Sequence, residues 1–187
     1  MIPWSLQRVV LGVDQATSSG YCVHVGIRPV RWGLARDAFD RAHVITIAQA
    51  YARDYAQPGF VFAFEAHEPL RRAKSSRASL LTLGGMLHRW LEQLDLMRHP
   101  SHCRIGIAPS TWQRRVLGCT GKTPRAERKA QAIAWASAYV HAAIEQDDIA
   151  DAIAISSFAA REPVRSHARK KGSWSVRKVR KAHRAVV

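Results

Sequence analysis

Four carboxylates lie where the surrounding sequence is apolar and a lone charge is costly. Asp14 and Glu65 each end a short apolar run that is typical of a buried strand. Asp148 and Asp151 are three residues apart in a segment otherwise made of Ile and Ala, and a helix over this segment places both on one face. Burying a single charge costs several kcal/mol unless the charge is paired or binds a metal. Mg²⁺ or Mn²⁺, which prefer oxygen ligands, would relieve the repulsion among these groups.

The chemistry open to such a set is metal-assisted hydrolysis of a phosphodiester. Two metal ions about 3.5–4 Å apart activate water and stabilise the leaving oxygen. The alternative for any one residue is a structural role, because strand-end carboxylates often cap a helix and Asp residues on helices are often exposed. To replace the metal-binding interpretation, a structural role would have to explain all four carboxylates in the same chain.

The charge of the chain indicates a polyanionic partner. Its 187 residues contain 29 Lys and Arg against 14 Asp and Glu, a net charge of +15, and the pI is near 10.8. No apolar run approaches the roughly 18–20 residues of a membrane-spanning helix, and the first residues lack the pattern of a signal peptide. We therefore expect a nucleic acid rather than a membrane as the partner, and a cytoplasmic location.

The composition predicts one globular domain followed by a basic tail. A hydrophobic content of 47% argues against wholesale disorder, and the three cysteines lack metal-binding spacing, so we expect reduced thiols. Residues 161–187 carry ten Lys and Arg against one acid, a net charge of +9. We expect residues 1–160 to form the domain and residues 161–187 to form a tail that stays disordered until DNA binds.

An α/β fold is needed to position the four carboxylates. Three early strands joined by tight turns suit antiparallel pairing, and two later strands separated by helices suit parallel pairing. We expect a mixed five-stranded sheet flanked by helices, with Ser110 capping one of them. The predicted strands are 8–14, 21–27, 30–34, 60–65 and 104–108, and the predicted helices are 40–56, 77–97, 110–117, 124–143 and 147–158.

An ordered set of short motifs resembles the RuvC-type Holliday junction resolvases. Residues 10–14, a strand ending in Gly-Val-Asp, are followed by Gly20 and Tyr21, as at the opening of that family. The closing residues 148–154 are similar to its Asp-x-x-Asp-Ala-hydrophobic-Ala signature. The resemblance covers about residues 8–160 in the family's order and rough spacing. The remaining motifs are residues 64–65, 83–85, 109–113 and 116–118.

The resemblance implies an RNase H-like fold and a homodimer that cuts two strands of a four-way DNA junction, leaving 5′-phosphate and 3′-hydroxyl ends. It implies Mg²⁺ as the cofactor, with Mn²⁺ as a substitute, and it implies that Lys129, in the family's Lys-x-Gln context, acts near the scissile phosphate. Asp147 is the alternative to Asp148, because it lies four residues before Asp151. The implied metal ligands are Asp14, Glu65, Asp148 and Asp151.

The sequence departs from the family pattern at two places. Glu68 occupies a position three residues after Glu65 where family members often carry an aromatic residue that is thought to act at the junction centre. The way in which this chain opens a junction, and its preference for a cleavage sequence, are therefore open. The stretch 118–124 is longer than in the bacterial housekeeping form and resembles phage-borne relatives.

Two clusters of basic residues predict contacts with DNA phosphates. The first follows Glu65 closely and has no acid after it until residue 92. The second surrounds the segment between the third and fourth predicted helices. A solvated surface is the alternative for either cluster. The predicted DNA-binding residues are Arg71, Arg72, Lys74, Arg77, Arg114, Arg115, Lys122, Arg125 and Lys129.

The leucine-rich helix 77–97 predicts either core packing or a dimer seam. Gly84 and Gly85 lie inside it, and glycine in a helix interior costs about 1 kcal/mol relative to alanine. A close approach of another helix would justify the pair. Two other functions are compatible with the sequence: an RNase H-like ribonuclease acting on RNA–DNA hybrids, and a non-catalytic protein that binds DNA junctions.

Overall fold

A mixed five-stranded sheet organises the chain in a computed structural model, which describes residues 8–55, 57, 59–66, 77–96 and 103–161, with side chains in the second helix from Leu81 onwards. The order of the elements is the predicted one. In chain order they are β1 (Val9–Asp14), β2 (Ser19–Val25), β3 (Arg28–Ala35), α1 (Ala38–Asp54), β4 (Val61–Glu65), α2 (Arg77–Leu96), β5 (Cys103–Ile107), α3 (Pro109–Leu117), α4 (Arg125–Val140) and α5 (Asp147–Arg161).

The pairing of the strands brings two of the predicted carboxylates to one edge. The sheet order is β3-β2-β1-β4-β5. The pairs β1–β2 and β2–β3 are antiparallel, whereas β1–β4 and β4–β5 are parallel. Val13 is opposite Phe64 in the parallel pair, so the next residues, Asp14 and Glu65, end neighbouring strands at the same edge.

Helices cover both faces of the sheet and bury a separate core on each. Alternate residues of β1 point to opposite faces. Leu11 and Val13 pack with α1 and α2, including the fully buried Trp90. Val10 packs on the other face with α3 and α5. This three-layer arrangement makes α5 the helix that lies directly on the central strands.

A glycine in β1 lets α5 approach the sheet closely. A Cβ added at Gly12 would lie 2.4 Å from the Cβ of Ser156 on α5, which is closer than real side chains come. Because α5 carries Asp148 and Asp151, this contact sets how near those residues come to the strand that ends in Asp14.

One local expectation is wrong. Ser110 does not cap α3, because the helix already begins at Pro109, whose fixed backbone angle suits a first helical position, and Ala108 occupies the cap without a side-chain bond. For the pair Gly84 and Gly85, the structure shows no close approach of another helix within the described part of the chain, and the dimer seam stays a prediction. A Cβ added at either glycine meets no atom within 4 Å.

The leucines of α2 are mainly core residues. Leu94 is buried, and Leu87 and Leu91 pack against the core formed with α1. The opposite side of the helix is open, since Leu81 is 61% exposed. Among the described helices, none has the length and apolar character needed to cross a membrane.

Candidate active site

The four predicted carboxylates line one cavity of about 300 Å³. Asp14 comes from the end of β1 and Glu65 from the end of β4, while Asp148 and Asp151 come from the first turns of α5. Asp147 also lines the cavity. The three elements meet here because β1 and β4 are parallel neighbours and α5 lies across them.

Asp14 is a half-buried carboxyl at the end of the central strand β1. Burial raises its pKa well above the ordinary value, and the charges of Asp151 and Glu65 raise it further. A buried carboxyl with like charges around it holds its proton, unless a cation replaces that proton.

Asp151 and Asp148 experience the same two effects. Burial and the charges of Glu65, Asp147 and Asp148 raise the pKa of Asp151 from 3.8 to about 7. Burial, together with the charge of Asp147, raises the pKa of Asp148 as well. The fully ionised form of this carboxyl group cluster is therefore disfavoured at neutral pH unless a cation binds there.

The donor set fits a hard divalent cation, since all four groups are carboxylates and a cation would relieve their repulsion. The side chains are not gathered around a single point, however. Among the described residues, no group of three or more His, Cys, Asp or Glu side chains is arranged to hold a metal ion. The identity of the ligands therefore stays a prediction, and metal binding would require these side chains to turn toward a common centre.

Glu65 is held from two sides. The Nε1–H of Trp112, a fully buried residue of α3, donates to Glu65 Oε2 at 3.2 Å. Gln15 Nε2 donates to the backbone carbonyl of Glu65. Burial raises the pKa of Glu65, and the Trp112 hydrogen bond and the positive charge of Arg128 act in the opposite direction. These contacts hold the carboxylate at the cavity wall.

Lys129, the predicted catalytic cation, is paired with an acid. Its Nζ donates to Asp147 Oδ2, and this hydrogen bond lowers the pKa of Asp147. Both side chains are partly exposed, Lys129 by 45% and Asp147 by 32%. The pair lies beside Asp148 and Asp151. The positive charge of Lys129 offsets part of the rise in the pKa values of these two carboxyls. Lys129 is therefore paired with Asp147 and not with the neighbouring residue Asp148.

The other predicted DNA contacts are distributed unevenly. Arg125 lines the cavity beside Lys129. Arg114, Arg115 and Lys122 are exposed and do not line it. Several predicted positions lie outside the described residues, or, for Arg77, have an undescribed side chain. These are Arg71, Arg72, Lys74, Arg77, Glu68 and the basic tail from residue 162.

The cavity lining also includes Trp112, Gln113 and Arg128, which the predicted site did not contain. The sequence contains a signal for each. Trp112 and Gln113 belong to α3, which follows β5, and β5 runs parallel to β4, so α3 begins at the edge where Glu65 lies. Arg128 lies three residues after Arg125, which places both on one face of α4.

Comparison with known proteins identifies the fold. No family model and no curated protein matches the sequence. The structure of Thermus thermophilus RuvC in complex with a Holliday junction substrate superimposes with a TM-score of 0.52 at 13% identity, over 80% of this chain and 91% of that chain. This similarity shows that the chain has the RuvC-type, RNase H-like fold, and the predicted fold class is thereby confirmed.

Two further structures are similar at a lower level. One is a second structure of T. thermophilus RuvC, with a TM-score of 0.49 and 16% identity, over 81% of this chain and 93% of that chain. The other is the yeast mitochondrial Holliday junction resolvase Ydc2, with a TM-score of 0.45 and 14% identity, over 83% of this chain and 78% of that chain.

Proposed function

We propose that this chain is a metal-dependent endonuclease that resolves four-way DNA junctions. The observation that carries the proposal is the cavity in which Asp14, Glu65, Asp148 and Asp151 face the cations of α4 within a RuvC-type fold. The RuvC structure with the same fold is a complex with a Holliday junction. The net charge of +15 suits a DNA substrate.

In this proposal the four carboxylates hold Mg²⁺, or Mn²⁺ in its place. When bound, the two ions supply an activated water and stabilise the leaving oxygen. The chain itself orients Glu65 through the Trp112 hydrogen bond and presents Arg125, Arg128 and Lys129 to the phosphate backbone. Water attack at phosphorus with departure of the 3′ oxygen leaves a 5′-phosphate and a 3′-hydroxyl.

We also propose a homodimer, because a four-way junction has two strands to cut and a symmetric pair of sites matches them. The outer side of α2 supports this idea. It presents Gly84, Gly85 and the exposed Leu81 away from the rest of the described chain. A cytoplasmic location, in a bacterial cell or a phage-infected host, is part of the same proposal.

The test is a nuclease assay with a labelled, immobile four-way DNA junction in Mg²⁺. Linear duplex and an RNA–DNA hybrid serve as parallel substrates, and Asp14→Asn is compared with the wild type. We expect paired symmetric nicks in the junction alone. Asp14→Asn should lose cleavage and bind the junction as well as the wild type or better, because a negative charge near phosphate is removed.

The alternative functions give different results in this assay. Cleavage of the hybrid alone would identify a ribonuclease, and tight junction binding with no cleavage would identify a DNA-binding protein without catalysis. Full cleavage by Asp14→Asn would contradict the proposed metal site.

A further inference from the structure

Two neighbouring residues of α4 reach different parts of the cavity. Lys129 contacts Asp147 and lies beside Asp148 and Asp151. Arg128 lies on the Glu65 side, where its charge acts on that carboxylate. The cavity therefore has one cation near the start of α5 and another near the end of β4.

The partner of Arg128 is neutral. Its Nη1 donates to the side-chain oxygen of Gln113 at 3.1 Å, and both residues line the cavity. An amide acceptor fixes the guanidinium without cancelling its charge. The ammonium of Lys129, in contrast, is matched by the carboxylate of Asp147. Of the two cations, Lys129 is hydrogen-bonded to a carboxylate, whereas Arg128 acts on Glu65 through its charge.

The guanidinium also has an unused donor. The Nε of Arg128 is buried and has no hydrogen-bond partner in the part of the chain that the structure describes. Leaving a buried donor unsatisfied costs about 1–3 kcal/mol, and such groups in native proteins are typically completed by water, an ion or a ligand. A phosphate oxygen in the cavity is a suitable acceptor for this guanidinium, because a guanidinium binds phosphate through two parallel N–H groups. Contact through Nε would require this buried atom to turn toward the cavity that Arg128 lines.

We propose that Arg128 is a catalytic residue that binds the scissile phosphate beside Glu65, with Gln113 as the residue that positions it. This inference rests on the proposed nuclease function. The water oxygen bonds to phosphorus while the bond from phosphorus to the 3′ oxygen breaks with its electron pair. The water releases one proton, the 3′ oxygen takes up one, and Arg128 exchanges none. Its charge stabilises the non-bridging oxygens as negative charge builds on them.

The experiment compares Arg128→Gln and Arg128→Lys with Lys129→Gln in the full-length protein. Cleavage of the junction is measured in single turnovers at saturating protein, and junction affinity is measured separately in an Asp14→Asn background. We expect Arg128→Gln to lower the cleavage rate about 10²–10³-fold. Its affinity should change only about threefold, because it removes one phosphate contact among many. Arg128→Lys should be intermediate, and Lys129→Gln should lose less than Arg128→Gln.

Chemical rescue separates contact with the phosphate from a merely structural role. Free guanidinium should restore part of the cleavage by Arg128→Ala and should have no such effect on Lys129→Gln. Arg53→Gln, on the exposed end of α1, is the matched control and should behave like the wild type. Thermal unfolding of each variant verifies that it is folded.

The outcomes distinguish the inference from the function on which it rests. Wild-type cleavage with an equally active Arg128→Gln, or an Arg128→Ala that guanidinium does not rescue, overturns the role of Arg128 alone. A wild type that binds junctions and cuts none overturns both proposals.

Discussion

Gly20 lies directly against the backbone of Asp148. A Cβ placed on Gly20 would come within 1.8 Å of the Asp148 carbonyl oxygen and 2.3 Å of the carbonyl carbon. The start of β2 therefore touches the first turn of α5, and the space left by one missing methyl group sets the position of two of the four carboxylates. This contact gives a physical reason for the glycine in the Gly20-Tyr21 motif.

Gly20→Ala should consequently displace the start of α5. We expect a loss of about 1–3 kcal/mol in the free energy of unfolding, as for other overpacked sites, and a large loss of junction cleavage. Thermal unfolding and the nuclease assay measure the two effects. Gly121→Ala is the control, because a Cβ at Gly121 meets no atom of the described residues within 4 Å. Cleavage by Gly20→Ala at the wild-type rate would contradict this account.

Trp112→Phe tests whether the hydrogen bond to Glu65 prepares that carboxylate for metal binding. The variant keeps a buried aromatic ring and removes the N–H. Loss of such a supporting bond typically costs about 10–100-fold in metal affinity or activity, so we expect a higher Mg²⁺ concentration for half-maximal cleavage. Titration of cleavage with Mg²⁺ measures this shift.

Trp90→Phe is the matched control for that experiment. Trp90 is also fully buried and donates to the hydroxyl of Ser19 at 3.1 Å. It should lose a similar amount of stability without a change in the Mg²⁺ requirement. Equal Mg²⁺ curves for the two variants would show that Trp112 is only a core residue.

Asp147 and Asp148 should differ in their contribution to cleavage. Asp148→Asn is expected to abolish it, because Asp148 shares the buried carboxylate cluster. Asp147→Asn should retain cleavage, since Asp147 is paired with Lys129, and the freed lysine should strengthen junction binding. Single-turnover cleavage and junction affinity, measured for both variants, show which of the two aspartates cleavage requires. The opposite ranking would make Asp147 the metal ligand.

The stability of the metal-free protein should depend on pH because the cavity contains a carboxyl group with a raised pKa, that of Asp151. The pKa of Asp151 is about 7 in the folded chain against 3.8 ordinarily, so the folded state holds a proton that the unfolded state releases between these values. Unfolding then releases protons, and a rise in pH from 6 to 8 lowers the free energy of unfolding. Mg²⁺ should raise the midpoint of thermal unfolding more at pH 8 than at pH 6.

A second group opposes this trend at lower pH. Burial lowers the pKa of His24 to about 3, so folding becomes more favourable as pH rises toward the ordinary value of 6.5. Comparison with Asp151→Asn isolates the carboxylate, because both proteins keep His24. If both proteins lose stability equally between pH 6 and 8, Asp151 is not the cause.

Removal of residues 162–187 should affect binding more than catalysis. The segment carries nine Lys and Arg and one acid. If it neutralises five phosphates, its removal should reduce the slope of log affinity against log salt by about 4–5. Junction affinity measured from 50 to 200 mM salt tests this, and single-turnover cleavage at saturating protein should be unchanged. An identical salt dependence in the two proteins would exclude a role for the tail in binding.

Much of the framework could be predicted from local patterns. Apolar runs ending in Asp14 and Glu65 mark the ends of strands, and a three-residue spacing marks one face of a helix, because side-chain direction follows backbone periodicity. Such patterns contain no information about what lies opposite a given face. The leucine spacing of α2 thus predicts that one face of the helix is in the core. It does not predict that Gly84 and Gly85 are open, because that depends on which side of the helix meets α1.

The sequence by itself determined the order of the elements, the identity of the four carboxylates as candidates and the excess of positive charge. Each of these follows from composition or from short spacings along the chain. Only the tertiary structure decided which cation meets which carboxylate. Arg128 and Lys129 are adjacent in the chain, but successive residues of a helix point about 100° apart. The packing of α4 against α3 and α5 therefore places Arg128 beside Glu65 and Gln113, and Lys129 beside Asp147.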